Sequence, residues 1–230
     1  MAISPHYYLA ADVRELDRLA IEQHGIPGFI LMQRAGLAAF NTIKTTWPDT
    51  RMVVCFCGSG NNGGDGYVIS ALAKQNGMEA LVIALGNPNA LKNDARKAFL
   101  LAEENGVRTI PYSDFNPSEL PAFSMPTVMV DALLGTGLTG AVRGDYEKAI
   151  EIINNSSWPV LAVDIPSGLC SDSGSVLGNA VKANITVTFI GRKLGQVIAD
   201  GPAYCGELLF DDLAVPGEIY TMISPAMPSI

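Results

Sequence analysis

The sequence predicts an α/β protein: a mostly parallel central sheet covered on both faces by helices, with two helices ahead of it. Three observations predict this. Short, near-continuous apolar runs such as Met52–Cys57 and Val160–Val163 alternate with longer helical stretches, the pattern of strands covered on both faces by crossover helices. Glycine-rich or acidic loops directly follow three of these runs, where open α/β sheets bind ligands, outside the strand carboxyl ends. A length of 230 residues, 48% hydrophobic and 17% charged, suits one domain with a sizeable core.

Residues 1–10 are expected to be a loose arm. A first helix is expected to start at Asp12, with Glu15 completing a capping box, and to place Val13, Leu16, Leu19 and Ala20 on one face before Gly25 ends it. A second helix, rich in Leu, Met and Ala, covers Gly28 to Thr45. From Met52 the elements alternate. Strand Met52–Cys57 leads through loop Gly58–Gly64 to helix Asp65–Asn76. Strand Glu79–Leu85 leads to helix Ala90–Asn105, with Gly106 past its end, and to a short strand Val107–Ile110. A Pro-rich loop from Pro111 to Pro126 precedes strand Thr127–Leu133 and helix Asp145–Asn154. Strands Val160–Val163, Asn184–Ile190 and Leu208–Phe210 complete the pattern. The domain is expected to span residues 11–217. A tail over 218–230, containing Pro225, Pro228 and Ser229, reads either as an end or as a linker to a further domain.

Lys plus Arg number 15 and Asp plus Glu 23, a net charge of −8. This acidic balance argues against a nucleic-acid backbone or an anionic membrane surface as partner, but not against a phosphate-bearing small molecule. No apolar run approaches the roughly 18 residues that span a bilayer, and no basic-then-apolar leader opens the sequence, so a cytoplasmic location is expected. Cys55, Cys57, Cys170 and Cys205 form no C-x-x-C pair. They read as buried free thiols in a reducing compartment.

The loops after the strands carry the chemistry. Gly58-Ser59-Gly60-Asn61-Asn62-Gly63-Gly64-Asp65-Gly66 contains the G-x-G-x-x-G spacing as Gly58, Gly60 and Gly63. The acid that a dinucleotide fold places at the end of its second strand is missing, because that end reads Ala84-Leu85-Gly86. What remains is a run of free backbone N–H groups opening a helix, suited to an anion such as pyrophosphate. Strand Thr127–Val130 runs into Asp131, followed by Gly135, Gly137 and Gly140. Strand Val160–Val163 runs into Asp164-Ile165-Pro166-Ser167-Gly168. Taken alone, each loop has a plainer reading as a glycine turn or as a carboxylate capping local backbone. Three such strand ends together read as one pocket. Asp131, Ser167 and Asn62 supply oxygen ligands only, which suit a hard cation, and one carboxylate among neutral oxygens favours a monovalent ion. His6 and His24 lie at no predicted strand end, and no G-x-S-x-G elbow or Cys–His arrangement is present. Arg192 and Lys193 read either as a solvated pair or with Lys193 reaching into the pocket.

The stretches Asn61-Asn62-Gly63-Gly64-Asp65-Gly66, Asp131-Ala132-Leu133-Leu134-Gly135-Thr136-Gly137 and Asp164-Ile165-Pro166-Ser167-Gly168 resemble the NAD(P)HX epimerases, the YjeF N-terminal domain family, which includes the apolipoprotein-A-I-binding protein. The resemblance runs from about Ala10 to Val215. It implies a Rossmann-like three-layer α/β/α sandwich, interconversion of the R and S forms of hydrated NADH and NADPH, a bound potassium ion and a homodimer. It also implies an S-specific NAD(P)HX dehydratase, fused or separate, as a functional partner. By resemblance Asn62, Asp131 and Ser167 are potassium ligands. Asn61, Asn62, Gly63, Gly64 and Asp65 bind substrate, as do Gly135, Thr136, Gly137, Leu138, Thr139, Gly140, Ala141 and Asp164. Gln33 stands where the family commonly has Glu. Asp164, placed after a strand in a mostly apolar wall, is the candidate acid/base for loss and return of the C6 hydroxyl. Two other readings stand beside this one: a non-catalytic protein- or nucleotide-binding module, and an NAD-dependent oxidoreductase. The missing second-strand acid opposes the latter.

Overall fold

The computed structural model describes residues 6–122 and 125–227. Residues 1–5 of the expected arm, 123 and 124 of the Pro-rich loop, and 228–230 of the expected tail lie outside the described residues.

Seven parallel strands form the central sheet in the order β4-β3-β2-β5-β6-β7-β9. They are β2 (Met52–Cys57), β3 (Glu79–Ala84), β4 (Arg108–Pro111), β5 (Thr127–Ala132), β6 (Val160–Val163), β7 (Ile185–Phe189) and β9 (Glu207–Asp211). The chain winds outward from β2 to β4, returns to the middle at β5, and winds outward again to β9. The winding reverses between β2 and β5, and the carboxyl ends of these two strands flank the crevice that such a reversal opens.

β2 shows how the sequence builds the layers. Every residue in it is buried. Val53, Cys55 and Cys57 face the core made with α1 (Ala10–Glu22), α2 (Gly28–Thr46), α3 (Asn61–Gln75) and α4 (Asn93–Glu104), through Leu16, Phe40, Tyr67 and Phe99. Met52, Val54 and Phe56 face the opposite core, filled by Ile150 and Ile153 of α5 (Asp145–Asn154). Alternate side chains thus feed two cores, which gives three layers. The free thiols Cys55, Cys57 and Cys205 are buried as expected, while Cys170 is partly exposed.

Several boundaries differ from expectation. The first helix starts at Ala10, and Asp12 lies inside its first turn, where its Oδ2 accepts the Leu9 N–H at 3.2 Å. α3 starts at Asn61, four residues before the expected Asp65. Glycine disfavours helix on propensity, but here tertiary contact wins. A Cβ on Gly66 would lie 2.6 Å from Cys57 Sγ and 2.7 Å from Ala132 Cβ, so glycine lets α3 lie directly on the sheet. The helix expected from Ala90 starts at Asn93, after a 3₁₀ turn over Pro88–Ala90. The Pro-rich loop contains 3₁₀ turns over Tyr112–Asp114 and Pro117–Ala122.

Within the expected arm, β1 (Tyr7–Tyr8) pairs in parallel with β8 (Arg192–Lys193), Tyr8 opposite Lys193. A two-residue strand has no periodicity to read, so this pairing leaves no sequence signal. A short α6 (Gly201–Cys205) also lies where the sequence pattern predicts no helix. Near the C-terminus Ile219 is fully buried, the Tyr220 hydroxyl donates to Ile190 O at 2.7 Å, and Ala226 N–H donates to Tyr7 O at 2.9 Å.

Candidate active site

A cavity of about 700 Å³, within the usual range for small-molecule sites, opens over the β2–β5 crevice. α1 contributes Val13, Arg14, Asp17 and Ile21 to its wall. The turn after β2 contributes Ser59 and Gly60, α3 contributes Asn61, Asn62 and Asp65, and the loop after β5 contributes Leu134 through Thr139. Asp164, Phe189, Ile190 and Lys193 come from the ends of β6 and β7 and from β8. Of the residues expected to bind substrate, Asn61, Asn62, Asp65, Gly135, Thr136, Gly137, Leu138, Thr139 and Asp164 therefore line one space. Gly63, Gly64, Gly140 and Ala141 do not line it. Gly63 and Gly64 are buried behind it, and Ala141 packs beside Gly178.

Asp131 is fully buried near the end of β5. Its Oδ2 accepts Ser167 N–H at 2.7 Å, and its Oδ1 accepts the Ser167 hydroxyl at 2.6 Å and Leu133 N–H at 3.2 Å. Burial pushes its carboxyl up to about 6, opposed by the Ser167 hydrogen bonds. The Ser167 Oγ also accepts Leu134 N–H at 2.9 Å. Asn62 stands beside the next residue, Gly135: its Oδ1 lies 3.7 Å from where a Gly135 Cβ would be, and its buried Nδ2 has no hydrogen-bond partner. The three expected ion ligands are thus linked through Leu134 and Gly135. An orphaned side-chain amide beside a carboxylate–hydroxyl pair fits a cation, since the amide oxygen and nitrogen are interchangeable by a flip. Among the described residues no group of three His, Cys, Asp or Glu is placed to hold a metal. One carboxylate with neutral oxygens suits a monovalent ion.

Asp164 and Lys193 meet, so Lys193 does enter the pocket. Its Nζ donates to Asp164 Oδ1, to Thr188 Oγ1 at 2.9 Å and to Phe189 O at 3.2 Å. The ammonium is buried, whereas the Asp164 side chain keeps 18% exposure. The wall around Asp164 is therefore not simply apolar; it holds a buried counter-charge. Phe189 N–H at 3.3 Å and Thr188 Oγ1 at 3.4 Å also approach Asp164 Oδ1, and no protein donor among the described residues takes Oδ2. Gln196 locks the arrangement: its Nε2 donates to Asp164 O at 2.7 Å, and its Oε1 accepts Lys193 N–H at 2.8 Å.

Backbone strain aims both walls. Asp164 has φ +67° and sits at the centre of a three-residue turn closed by Ile165 N–H to Val163 O at 2.8 Å. Ile190 has φ +60° and centres the matching turn at the end of β7, Gly191 N–H to Phe189 O at 2.6 Å. Positive-φ γ-turns are rare and strained, most of all for a β-branched residue, and such strain concentrates at functional sites. The first turn reverses the chain at Asp164; the second sends it to Lys193.

Three further carboxyls line the cavity; Asp94 of α4 is paired with Lys97 at 2.8 Å, and the other two have no such partner among the described residues. Asp65 of α3 is held well above the usual carboxylate range by burial, reinforced by the charges of Asp164 and Asp17. Asp17 of α1 is pushed up to about 6 by burial, with Lys193 pulling it down and Asp164 adding to the rise. Sequence reasoning missed Asp17 and Gln196. Asp17 left one signal, an acid on the stripe Val13, Asp17, Ile21. Gln196 left none.

A fully parallel sheet with a cavity over its switch point, rimmed by backbone-rich loops and convergent titratable groups, defines a Rossmann-like α/β protein with a candidate small-molecule site. The sequence profile of the YjeF-related protein N-terminus family matches residues 28–195, and the chain belongs to that family. It is 42% identical over 94% of its length to a bifunctional NAD(P)H-hydrate repair enzyme, Nnr, of Coxiella burnetii, of which it spans 43%. It is 34% identical over 94% of its length to an NAD(P)H-hydrate epimerase of Legionella pneumophila, of which it spans 80%. The crystal structure of yeast ynu0 superposes with a TM-score of 0.81 over 95% of this chain and 94% of that one, at 18% identity, and shares the fold.

Proposed function

We propose that this chain interconverts the R and S epimers of hydrated NADH and NADPH at C6 of the nicotinamide ring, in repair of damaged cofactor. The observation that carries this reading is the similarity to relatives named as NAD(P)H-hydrate epimerase and NAD(P)H-hydrate repair enzyme along nearly the whole chain. The cavity supports it. The first turn of α3 offers backbone N–H groups to a pyrophosphate beside Asn61 and Asn62. Asp164 offers Oδ2 to the C6 hydroxyl as the proton-transfer group, with Lys193 and Gln196 holding its other atoms in place. Asn62, Asp131 and Ser167 would hold potassium, whose positive charge would order the two glycine loops around the substrate phosphates. The free thiols fit a reducing, cytoplasmic setting. Ile30 and Leu37, exposed on α2, offer apolar surface to a second copy in a homodimer.

The test couples the R hydrate of NADH to a separate S-specific dehydratase with ATP and follows NADH absorbance. Added protein is expected to accelerate recovery. No acceleration by folded protein in potassium buffer would move the weight to the binding-module reading. Asp164→Asn is expected to lower kcat by at least ~100-fold in the same assay. Full activity in the folded variant would remove Asp164 from the chemistry. Replacing potassium and sodium with tetramethylammonium is expected to raise KM for the hydrate and lower the melting temperature. Unchanged values for both would count against the ion.

A further inference from the structure

We infer that Asp17 is a second proton-transfer residue, acting on the C6 hydroxyl of one epimer from the α1 wall while Asp164 acts on the other from the strand-end wall. This inference rests on the epimerase reading. Inversion at C6 requires a hydroxyl to leave one face of the ring and water to arrive on the opposite face, so two faces need proton transfer. Four acids line the cavity, and Asp94 is taken up by Lys97. Asp164 sits beyond β6, and Asp17 projects from α1 on the stripe Val13, Asp17, Ile21 that forms the helical wall.

A structural role does not account for Asp17. No protein group among the described residues hydrogen-bonds to its half-buried carboxyl, which stays open to the cavity it lines. It is not the counter-ion of Lys193, because that ammonium is already paired with Asp164 and hydrogen-bonded to Thr188 and Phe189. A second acid beside a neutralised pair adds uncompensated negative charge. Its titration, pushed up to about 6 mainly by burial, leaves both protonation states accessible near neutrality, as an acid that must also serve as a base requires. Asp65 also faces the cavity, but burial raises its carboxyl well above the usual range, which sets it apart from Asp17.

The steps balance. In one direction the Asp17 carboxylic acid gives its proton to the C6 hydroxyl, the C6–O bond breaks and water leaves. The ring-nitrogen lone pair forms the C6=N1 bond. A water on the other face forms the new C6–O bond, the C6=N1 pair returns to nitrogen, and the proton of that water passes to Asp164 Oδ2. The reverse conversion carries the proton back, and between successive turnovers in one direction solvent takes the proton from Asp164 and returns one to Asp17.

The test is Asp17→Asn in H₂¹⁸O with a single hydrate epimer, following both inversion and label at the C6 oxygen. Inversion is expected to fall by at least ~100-fold. Label is expected to enter the epimer handled by Asp164 without inversion, because that residue alone can release and return a hydroxyl on its own face. Asp17→Glu is expected to restore part of the inversion. Asp17→Ser serves as the second truncation should the amide disturb folding. Inversion within about threefold of the parent in a folded variant would overturn the proposal, as would inversion and labelling falling by the same factor. Absence of both activities in the parent protein would instead overturn the epimerase reading, and this proposal with it.

Discussion

Lys193→Met is expected to destabilise the protein by about 3 kcal/mol and to lower epimerase kcat more than ~100-fold. Lys193 is fully buried, and its ammonium makes three contacts inside the pocket, with Asp164, Thr188 and Phe189. Removing it leaves the Asp164 carboxylate facing a desolvated wall without its counter-charge, and breaking such a pair by deleting one partner costs about 3–5 kcal/mol. The lower end applies because Asp164 keeps 18% side-chain exposure and some access to water. For a chain of this size, about 3 kcal/mol is a fall in melting temperature of roughly 6–12 °C. The pairing has a sharper signature in a double-mutant cycle. Asp164→Asn in the Lys193→Met background removes the orphaned charge, so the double variant is expected to melt above the single Lys193→Met variant while remaining inactive. Simple additivity of the two melting-temperature shifts would show that the two side chains are not coupled.

Gly58→Ala is expected to cost about 3 kcal/mol or more, or to prevent folding. A Cβ at this position would stand 1.9 Å from Leu133 O. That oxygen belongs to the backbone just past β5, so no side-chain rotation relieves the clash, and the two loops that rim the cavity must separate. The bare backbone also serves α3, since a Cβ on Gly63 would meet Gly58 O at 2.0 Å. Gly60→Ala is the control from the same loop: nothing lies within 4 Å of its Cβ position, and its φ of −100° suits any residue. It is expected to melt within a few degrees of the parent. Thermal melts of the two variants side by side read the difference directly, and equal stability would mean that the β2 and β5 loops do not need their close approach.

Much of this architecture was legible because its signals are local. Buried strands in a parallel sheet are continuous apolar runs, and Met52–Cys57 and Val160–Val163 appear at the bounds the sequence suggests. Helix ends were less legible. Asn61, Asn62, Gly63 and Gly64 look like loop on propensity, yet they form the first turn of α3 because a bare backbone packs there against the sheet and against Met32. The Asp131–Ser167 and Asn62 group was legible in part, since each residue stands at or just past a strand end and parallel topology gathers those ends on one edge. The pairing of Tyr7–Tyr8 with Arg192–Lys193 was not, because a strand this short carries no pattern and its partner is remote in the chain.

The sequence by itself determined the parallel layered fold, the position of the backbone-rich loops and the acids at the ends of β5 and β6. Hydrophobic period and glycine spacing act over a few residues and need no knowledge of what lies across the molecule. The tertiary structure alone decided which charges meet. Asp131 reaches Ser167 across 36 residues, Asp164 reaches Lys193 across 29, and Asp17 enters the same cavity from a helix ahead of the sheet. It also decided that Asp164 and Ile190 adopt strained left-handed turns, which only surrounding packing and hydrogen bonds can hold. Strand order and burial fix these meetings and set the desolvation that tunes Asp17, Asp65 and Asp131, and both are properties of the assembled sheet rather than of any segment within it.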